Sequence, residues 1–358
     1  ELGLCDTSNG IKPGSDIANM TILGYDPKVY HTGRSPLEAV SIGVNMNDTD
    51  LVFRCNLVTL SSEPEYGEKT MVDYSAGEIT TEEARELMKA IQNAFNSDEM
   101  AFYAGVSYRH CLLLHEHADS YKCTPPHDIT GKKIKEYLPD DSRILDLMIK
   151  SYEILSKHPV NLARREKGLN EANSIWLWGE GTKPGLDSFN ARFGLKKSTM
   201  ITAVDLLKGI GICAGMEIAH VPGATGNIDT NYIGKGNAAI EAYRSGSELV
   251  YLHVEAPDEC GHRGELENKI CSISTIDNAI LKPVSQYLMQ NPPFKILVMP
   301  DHYTPIKART HTPEPVPYMI YSSEKQVEGC AEFSEKAAAS TGIIYRPGTE
   351  LMRHFIKD

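Results

Sequence analysis

The second half of the chain alternates short apolar runs with helical stretches, and no other feature restricts its fold as strongly. "STMITAVD" (198–205) has the pattern of a strand, and "LLKGIGICAGM" and "NYIGKGNAAIEAYRSG" follow it as helical stretches. "ELVYLHVEA" (248–256) is again a strand, "NKICSISTIDNAILKPVSQYLMQ" (268–290) one long helix, and "FKILVMPDH" (294–302) a further strand. Strands that are apolar throughout, separated by helices, imply a parallel sheet covered on both faces. Upstream the texture changes. "DLVFRCNLVTL" (50–60), the acidic helix "TTEEARELMKAIQNAF" (80–95), "MAFYAGVSYRHCLLLHE" (100–116) and the turn-rich "CTPPHDITGKK" (123–133) predict a smaller α/β unit of their own. The acidic run "TTEEARE" reads as a capped helix start on a solvated face.

A length of 358 residues fits about two domains at roughly 100–200 residues each. The net charge of −12 repels phosphate backbones, which excludes nucleic acid as a partner in the absence of a basic patch. No apolar run approaches the roughly 18 residues of a membrane span. Eight cysteines without C-x-x-C spacing predict reduced thiols and a cytoplasmic location. No signal peptide precedes the first residues, and "ELGLCDTSNGIKPGSD" opens without Met, as though part-way through a domain.

The polar residues at the ends of the apolar runs carry the chemistry. Pro300 stops "KILVM" and leaves Asp301 and His302 at a strand tip, where open α/β sheets build their sites. In "YLHVEAPDECGHRG", Asp258 and His262 stand four apart, on one face of a helical turn. With His311 they make two Asp and three His, a donor set suited to divalent metal and large enough for two ions. Near the N-terminus, "IKPGSDIANMTILGYDP" puts Ser15 before a short helical pattern. A serine there caps the helix, or uses the same dipole and N–H groups as a phosphate-binding nucleophile. His253 alternates as a core residue, and Trp176 and Trp178 read as packing residues.

The chain resembles the archaeal-type, 2,3-bisphosphoglycerate-independent phosphoglycerate mutases of the alkaline phosphatase superfamily. The resemblance runs from about residue 3 to the C-terminus. It rests on "PGSDIANMTILGYDP", "GRSPLEAVSIGV", "YSAGEITTEEA", "GVSYRH", "CTPPHDITGK", "NSIWLWGEG", "AVDLLKGIG", "GATGNIDTNYIGK", "HVEAPDECGH" and "PDHYTPIKARTHTPEPVP". It implies an alkaline-phosphatase-like α/β fold, with a mostly parallel sheet flanked by helices and a smaller inserted α/β domain. The chain then divides into a metal-binding domain of residues 1–36 and 151–358 and a substrate-closing insert of 37–150.

The same resemblance implies that Ser15 takes the phosphoryl group of 3-phosphoglycerate and returns it to give 2-phosphoglycerate. Two divalent ions (Mn, Mg, Zn or Co) serve it, and no bisphosphoglycerate. Asp258, His262 and His311 look like the ligands of one ion, and Asp301, His302 and the Ser15 oxygen those of the other. Lys208 and His110 are candidate catalytic residues, the first for the phosphoryl group and the second as a donor or proton shuttle. Arg34 and Arg109 are candidates for the substrate carboxylate, because guanidinium binds carboxylate bidentately. Cys260, between two implied ligands, is not needed as one.

The chain departs from the resemblance at its start. The family opens with a strand ending in Asp-Gly whose Asp completes the second metal site, and no such element is visible here; Asp6 lies too close to Ser15 to end a separate central strand. The second site is therefore expected to be incomplete. The partner implied is a small phosphoglycerate, with no membrane and no nucleic acid, and the oligomeric state is open. The rival activity is metal-dependent phosphomonoester hydrolysis on the same core; a thiamine-type lyase finds no supporting segment.

Overall fold

Three apolar runs of the second half form strands of four residues each, Ser198–Ile201, Leu249–Leu252 and Lys295–Val298. The computed structural model describes residues 1–115, 121–325 and 329–357, so Glu116, the last residue of the predicted 100–116 segment, lies outside the described residues. The chain divides into two compact units, residues 1–31 with 185–358, and residues 32–184.

In the first unit, Ser198–Ile201 pairs in parallel with Glu217–Ile218 on one side and with Leu249–Leu252 on the other. A second sheet has Leu2–Cys5 between Val316–Ser322, antiparallel, and Ile344–Tyr345, parallel. Lys295–Val298 closes that sheet, antiparallel to Val316–Ser322. Two expectations are corrected here. The run 294–302 does not extend the sheet that holds Leu249–Leu252, since an apolar strand carries no mark of its partner or its direction. Residues just before Ser15 do make an interior strand: Leu2–Cys5 needs only about 13 Å of extended chain at roughly 3.3 Å per residue. The predicted helix 268–290 is helical throughout, but a π turn at Asp277–Leu281 joins Leu266–Ile276 to Lys282–Met289. Pro283, which lacks the N–H of a regular turn, stands two residues after that irregularity.

The second unit is an antiparallel sheet covered by helices. Leu51–Leu60 lies between Arg109–Leu114 and Ser174–Thr182, with Met100–Val106 beyond the former and Met71–Asp73 pairing at its end. Helix Thr81–Phe95 starts on Thr80, whose hydroxyl accepts from the Glu83 N–H. It buries Ala84, Leu87, Met88 and Ile91, one face at helical spacing, and each larger side chain contributes about 1.5–3 kcal/mol. The expected boundary at residue 150 falls inside helix Ser142–Leu155. Residue 184 ends the unit instead, because Ser174–Thr182 pairs with Leu51–Leu60 from Val58↔Ser174 to Leu51↔Thr182.

Candidate active site

Pro13 and an extended Gly14 (φ −177°) lead the chain into helix Ser15–Ile22, and Gly14 supplies the cap position. Ser15 is the first helical residue, and the helix has no side-chain cap. The reading of Ser15 as an N-cap is thereby corrected. Its hydroxyl, only 6% exposed as a residue, lies 3.1 Å from His302 Nε2 at the positive end of the helix dipole.

His302 and Asp301 follow strand Lys295–Val298. Asp258 and His262 lie on helix Ala256–Arg263, which follows strand Leu249–Leu252 and closes on Gly264 in the left-handed region (φ 73°). Helical spacing leaves Asp258 Oδ2 3.3 Å from His262 Nε2, and His311 Nε2 approaches the other oxygen of Asp258 at 3.4 Å. Gly261 makes the close approach feasible: a Cβ there would stand 2.4 Å from the Thr304 carbonyl. Thr304 in turn donates its hydroxyl to Asp258 Oδ1 and lies 3.3 Å from His302 Nδ1.

The outer ring nitrogens decide what the inner ones can do. His311 Nδ1 is 3.3 Å from the Pro13 carbonyl and His262 Nδ1 is 3.0 Å from the Arg309 carbonyl. A carbonyl only accepts, so both Nδ1 atoms donate, and in the neutral rings both Nε2 atoms carry lone pairs. Those two Nε2 atoms stand 3.0 Å apart beside the Asp258 carboxylate. Lone pairs and negative charge converging this closely repel unless a proton or a cation sits among them. The donor set therefore fits a divalent cation, and Asp258, His302 and His311 each place a ligand atom within 4.8 Å of the others. Bonding to Asp258 raises the pKa of His311, outweighing burial. Burial would raise the Asp258 carboxyl, but its bonds from His311 and Thr304 and the nearby imidazoles hold it low. Burial lowers His302 despite Asp301.

Asp301 is also held from several sides. Its Oδ2 accepts from Asn19 Nδ2 at 2.9 Å and lies 3.7 Å from His253 Nε2. Its Oδ1 accepts from the backbone N–H of His302 at 3.0 Å. Burial acts to raise the Asp301 carboxyl, yet these contacts hold it well below the usual carboxylate range. His253 is partly buried, and what covers it is this carboxylate, with Glu255 3.4 Å from the same nitrogen. Burial pushes Glu255 up to about 7. Beneath them Lys235, fully buried, donates to the His253 carbonyl at 3.0 Å, and burial lowers its ammonium to about 8.

The structure thus brings together Ser15, Asp258, His262, Asp301, His302 and His311. Lys208 lies on helix Asp205–Cys213 with its ammonium 2.9 Å from Asp205 Oδ1, a contact outside this cluster. Asp6 is a turn residue: its Oδ1 accepts from Ser8 and Asn9 N–H groups at 3.2 Å. Cys260 is fully buried and belongs to neither potential ligand group among the described residues. Sequence reading passed over Asn19, Tyr251, Glu255 and Thr304. The signal for Asn19 was present as a polar residue one helical turn after Ser15, inside an otherwise apolar stretch.

Arg34, Arg109 and His110 belong to the second unit. Arg34 precedes helix Ser35–Ser41, and Arg109 is exposed beside the Tyr108 ring. His110 points the other way. It faces Cys55 across the pair of strands and shares a face with the core residues Leu112 and Leu114. Its Nδ1 accepts from the Gly105 N–H at 3.0 Å, its Nε2 is buried without a partner among the described residues, and burial pushes it down to about 3. A ring so depressed is neutral at physiological pH, which favours the role of N–H donor over that of proton shuttle. Trp176 and Trp178 are held by the Thr124 carbonyl (2.8 Å) and Asn56 Oδ1 (3.0 Å).

The family model for 2,3-bisphosphoglycerate-independent phosphoglycerate mutase matches residues 1–161. A protein of that name from Methanosarcina barkeri is 47% identical over 96% of this chain and 86% of its own length. A probable one from Geobacter sulfurreducens is 46% identical over 98% of this chain and 88% of its own. Among solved structures, a protein from Pyrococcus horikoshii superposes with a TM-score of 0.78 at 25% identity, over 99% of this chain and 86% of that one. The cofactor-independent phosphoglycerate mutase of Thermoplasma acidophilum gives 0.67, also at 25% identity, over 99% and 88%. The strand-tip carboxylates and imidazoles and this likeness define an α/β enzyme of the alkaline-phosphatase-like class. The chain belongs to the 2,3-bisphosphoglycerate-independent phosphoglycerate mutase family, whose members are isomerases. No helix among the described residues is long and apolar enough to cross a membrane.

Proposed function

We propose that this chain interconverts 3-phosphoglycerate and 2-phosphoglycerate in the cytoplasm, through a phosphoserine at Ser15 and without bisphosphoglycerate. The observation that carries the reading is the placement of the Ser15 hydroxyl, uncapped at a helix N-terminus and 3.1 Å from His302, within the cluster of aspartates and histidines. Ser15 Oγ forms a bond to phosphorus as the bond to the glycerate oxygen breaks, and that oxygen leaves with a proton. Glycerate reorients, and its other hydroxyl takes the phosphoryl group back from Ser15.

Asp258, His262 and His311 would hold one divalent cation, and Asp301, His302 and the Ser15 oxygen a second. Bound there, the cations supply positive charge that acidifies the serine hydroxyl and neutralises the phosphoryl oxygens. The chain's own residues do the positioning. The Pro13 and Arg309 carbonyls fix the His311 and His262 tautomers, and Thr304 holds Asp258. Arg109 and Arg34 are assigned to the substrate carboxylate, and Lys208, if released from Asp205, to the phosphoryl group. The 37–150 segment, extended to the whole of residues 32–184, acts as the substrate-closing domain.

The test is incubation with 3-phosphoglycerate and Mn(II) in the absence of bisphosphoglycerate. The expected result is 2-phosphoglycerate, with an acid-trapped phosphoserine at position 15. Ser15→Ala should lower turnover by about 10⁴-fold or more, as removal of a covalent nucleophile does. Inorganic phosphate released in place of 2-phosphoglycerate would assign the hydrolase activity instead.

A further inference from the structure

Asn19 has no part in the chemistry just described, yet it is fully buried and joins the nucleophile's helix to the Asp301 carboxylate. It stands four residues after Ser15, one turn down the same helical face. Its Nδ2 donates to the Ser15 carbonyl at 2.8 Å and to Asp301 Oδ2 at 2.9 Å. Its Oδ1 accepts the Tyr251 hydroxyl at 2.6 Å. Those partners settle the orientation of the amide. The Ser15 carbonyl and the Asp301 carboxylate have no hydrogen to give, so a flipped amide would set oxygen against oxygen twice, whereas the Tyr251 hydroxyl can donate or accept either way. Tyr251 comes from the strand Leu249–Leu252 that leads to Asp258, so the amide ties together three segments that carry site residues.

The adjacent pair Asp301 and His302 therefore grips the start of this helix at two points. His302 Nε2 meets the Ser15 hydroxyl, and Asp301, through Asn19, meets the Ser15 backbone. We infer that Asn19, oriented by the Ser15 carbonyl and the Asp301 carboxylate and braced by the Tyr251 hydroxyl, is a positioning residue that fixes the Ser15 oxygen relative to the Asp301–His302 pair. It touches neither substrate nor reacting atoms. Its role is to set one donor toward the lone pair of Asp301 Oδ2, leaving the rest of the carboxylate for a cation, while holding the nucleophile's backbone. A neutral amide suits the task, because a carboxylate at this position would repel Asp301 and a hydroxyl could not reach both acceptors and the phenol.

The inference rests on the proposed mutase reading and is tested on the full chain with Tyr251→Phe and Asn19→Leu. Tyr251→Phe deletes one hydroxyl and nothing else. Three quantities are measured for each: Mn(II) affinity by calorimetry without substrate, the thermal midpoint of the metal-free protein, and kcat and KM separately. Loss of an outer partner of this kind costs about 10–100-fold in metal affinity or activity. The expected result is such a loss in kcat and in Mn(II) affinity for Tyr251→Phe, with KM within about threefold and the fold retained, and a larger loss for Asn19→Leu. If Tyr251→Phe lowers only the thermal midpoint, with Mn(II) affinity and kcat as in the wild type, Asn19 is merely structural and the inference is overturned. Wild-type protein that neither binds Mn(II) nor forms 2-phosphoglycerate would instead sink the mutase reading, which separates the two failures. Should Asn19→Leu not fold, Tyr251→Phe decides alone.

Discussion

Both units bury histidine inside an α/β framework, and they do so with opposite results. In the first unit His302 is buried, and His253 and His311 are partly buried, among Asp258, Asp301 and Glu255, and each has a carboxylate within 4 Å. Partners can offset the cost of burial: Asp301 is held well below the usual carboxylate range and His311 gains protons more readily than a free imidazole, whereas burial still prevails at His302 and Glu255. In the second unit His110 is buried without a countercharge among the described residues, and burial makes it neutral. Burial makes reactive chemistry where polar groups are buried together, and inert packing where one is buried alone.

The largest test of this contrast removes a partner from the first unit. Asp258→Ala should leave His262 and His311 with facing lone pairs and no carboxylate to share a cation. Turnover is expected to fall by about 10³-fold, beyond the 10–100-fold typical of outer partners, and Mn(II) affinity to fall with it. Chelation of the wild type should give the same loss, reversible on adding Mn(II). A variant that keeps wild-type turnover would break the reading of the cluster as a metal centre.

Adjacent residues of the second unit give the intermediate test. Arg109 and His110 are neighbours on strand Arg109–Leu114, so their side chains leave opposite faces, one to solvent and one to the core. If Arg109 binds the substrate carboxylate, Arg109→Ala should raise KM about 10-fold or more, since hydrogen bonds to charged groups contribute about 1.5–3 kcal/mol. Saturation kinetics check it, and an unchanged KM would move the carboxylate ligand elsewhere, with Arg34 next.

How far the chain could be read in advance follows from the same geometry. Asp258 and His262 were legible because a four-residue spacing has one meaning on a helix, and Asp301–His302 because Pro300 ends an apolar run. The capped helix start at Thr80 was legible for the same local reason. What local pattern could not reveal was partnership at long range. Nothing in "KILVM" says that it pairs antiparallel with Val316–Ser322, and nothing near residue 150 says that Ser174–Thr182 returns to Leu51–Leu60. Strand alternation puts Arg109 and His110 on different faces, which "GVSYRH" taken as a motif does not say. Asn19 was missed because its three partners come from residues 15, 251 and 301.

The smallest expected effect is on stability, and it isolates the lone histidine. His110 titrates near 6.5 when unfolded and is pushed down to about 3 when folded. Between those values the unfolded chain holds one more proton, so stability rises with pH across this window. The contribution is complete above about pH 6.5 and is lost as pH falls toward 3, with a slope of at most about 1.4 kcal/mol per pH unit for one proton. His110→Asn keeps an acceptor for the Gly105 N–H but cannot be protonated. Urea unfolding of both proteins from pH 4.5 to 7.5 should give curves that converge toward low pH, the wild type losing stability faster on acidification. Parallel curves would mean that the His110 ring has a compensating partner after all, and the contrast between grouped and solitary burial would then fail at its simplest case.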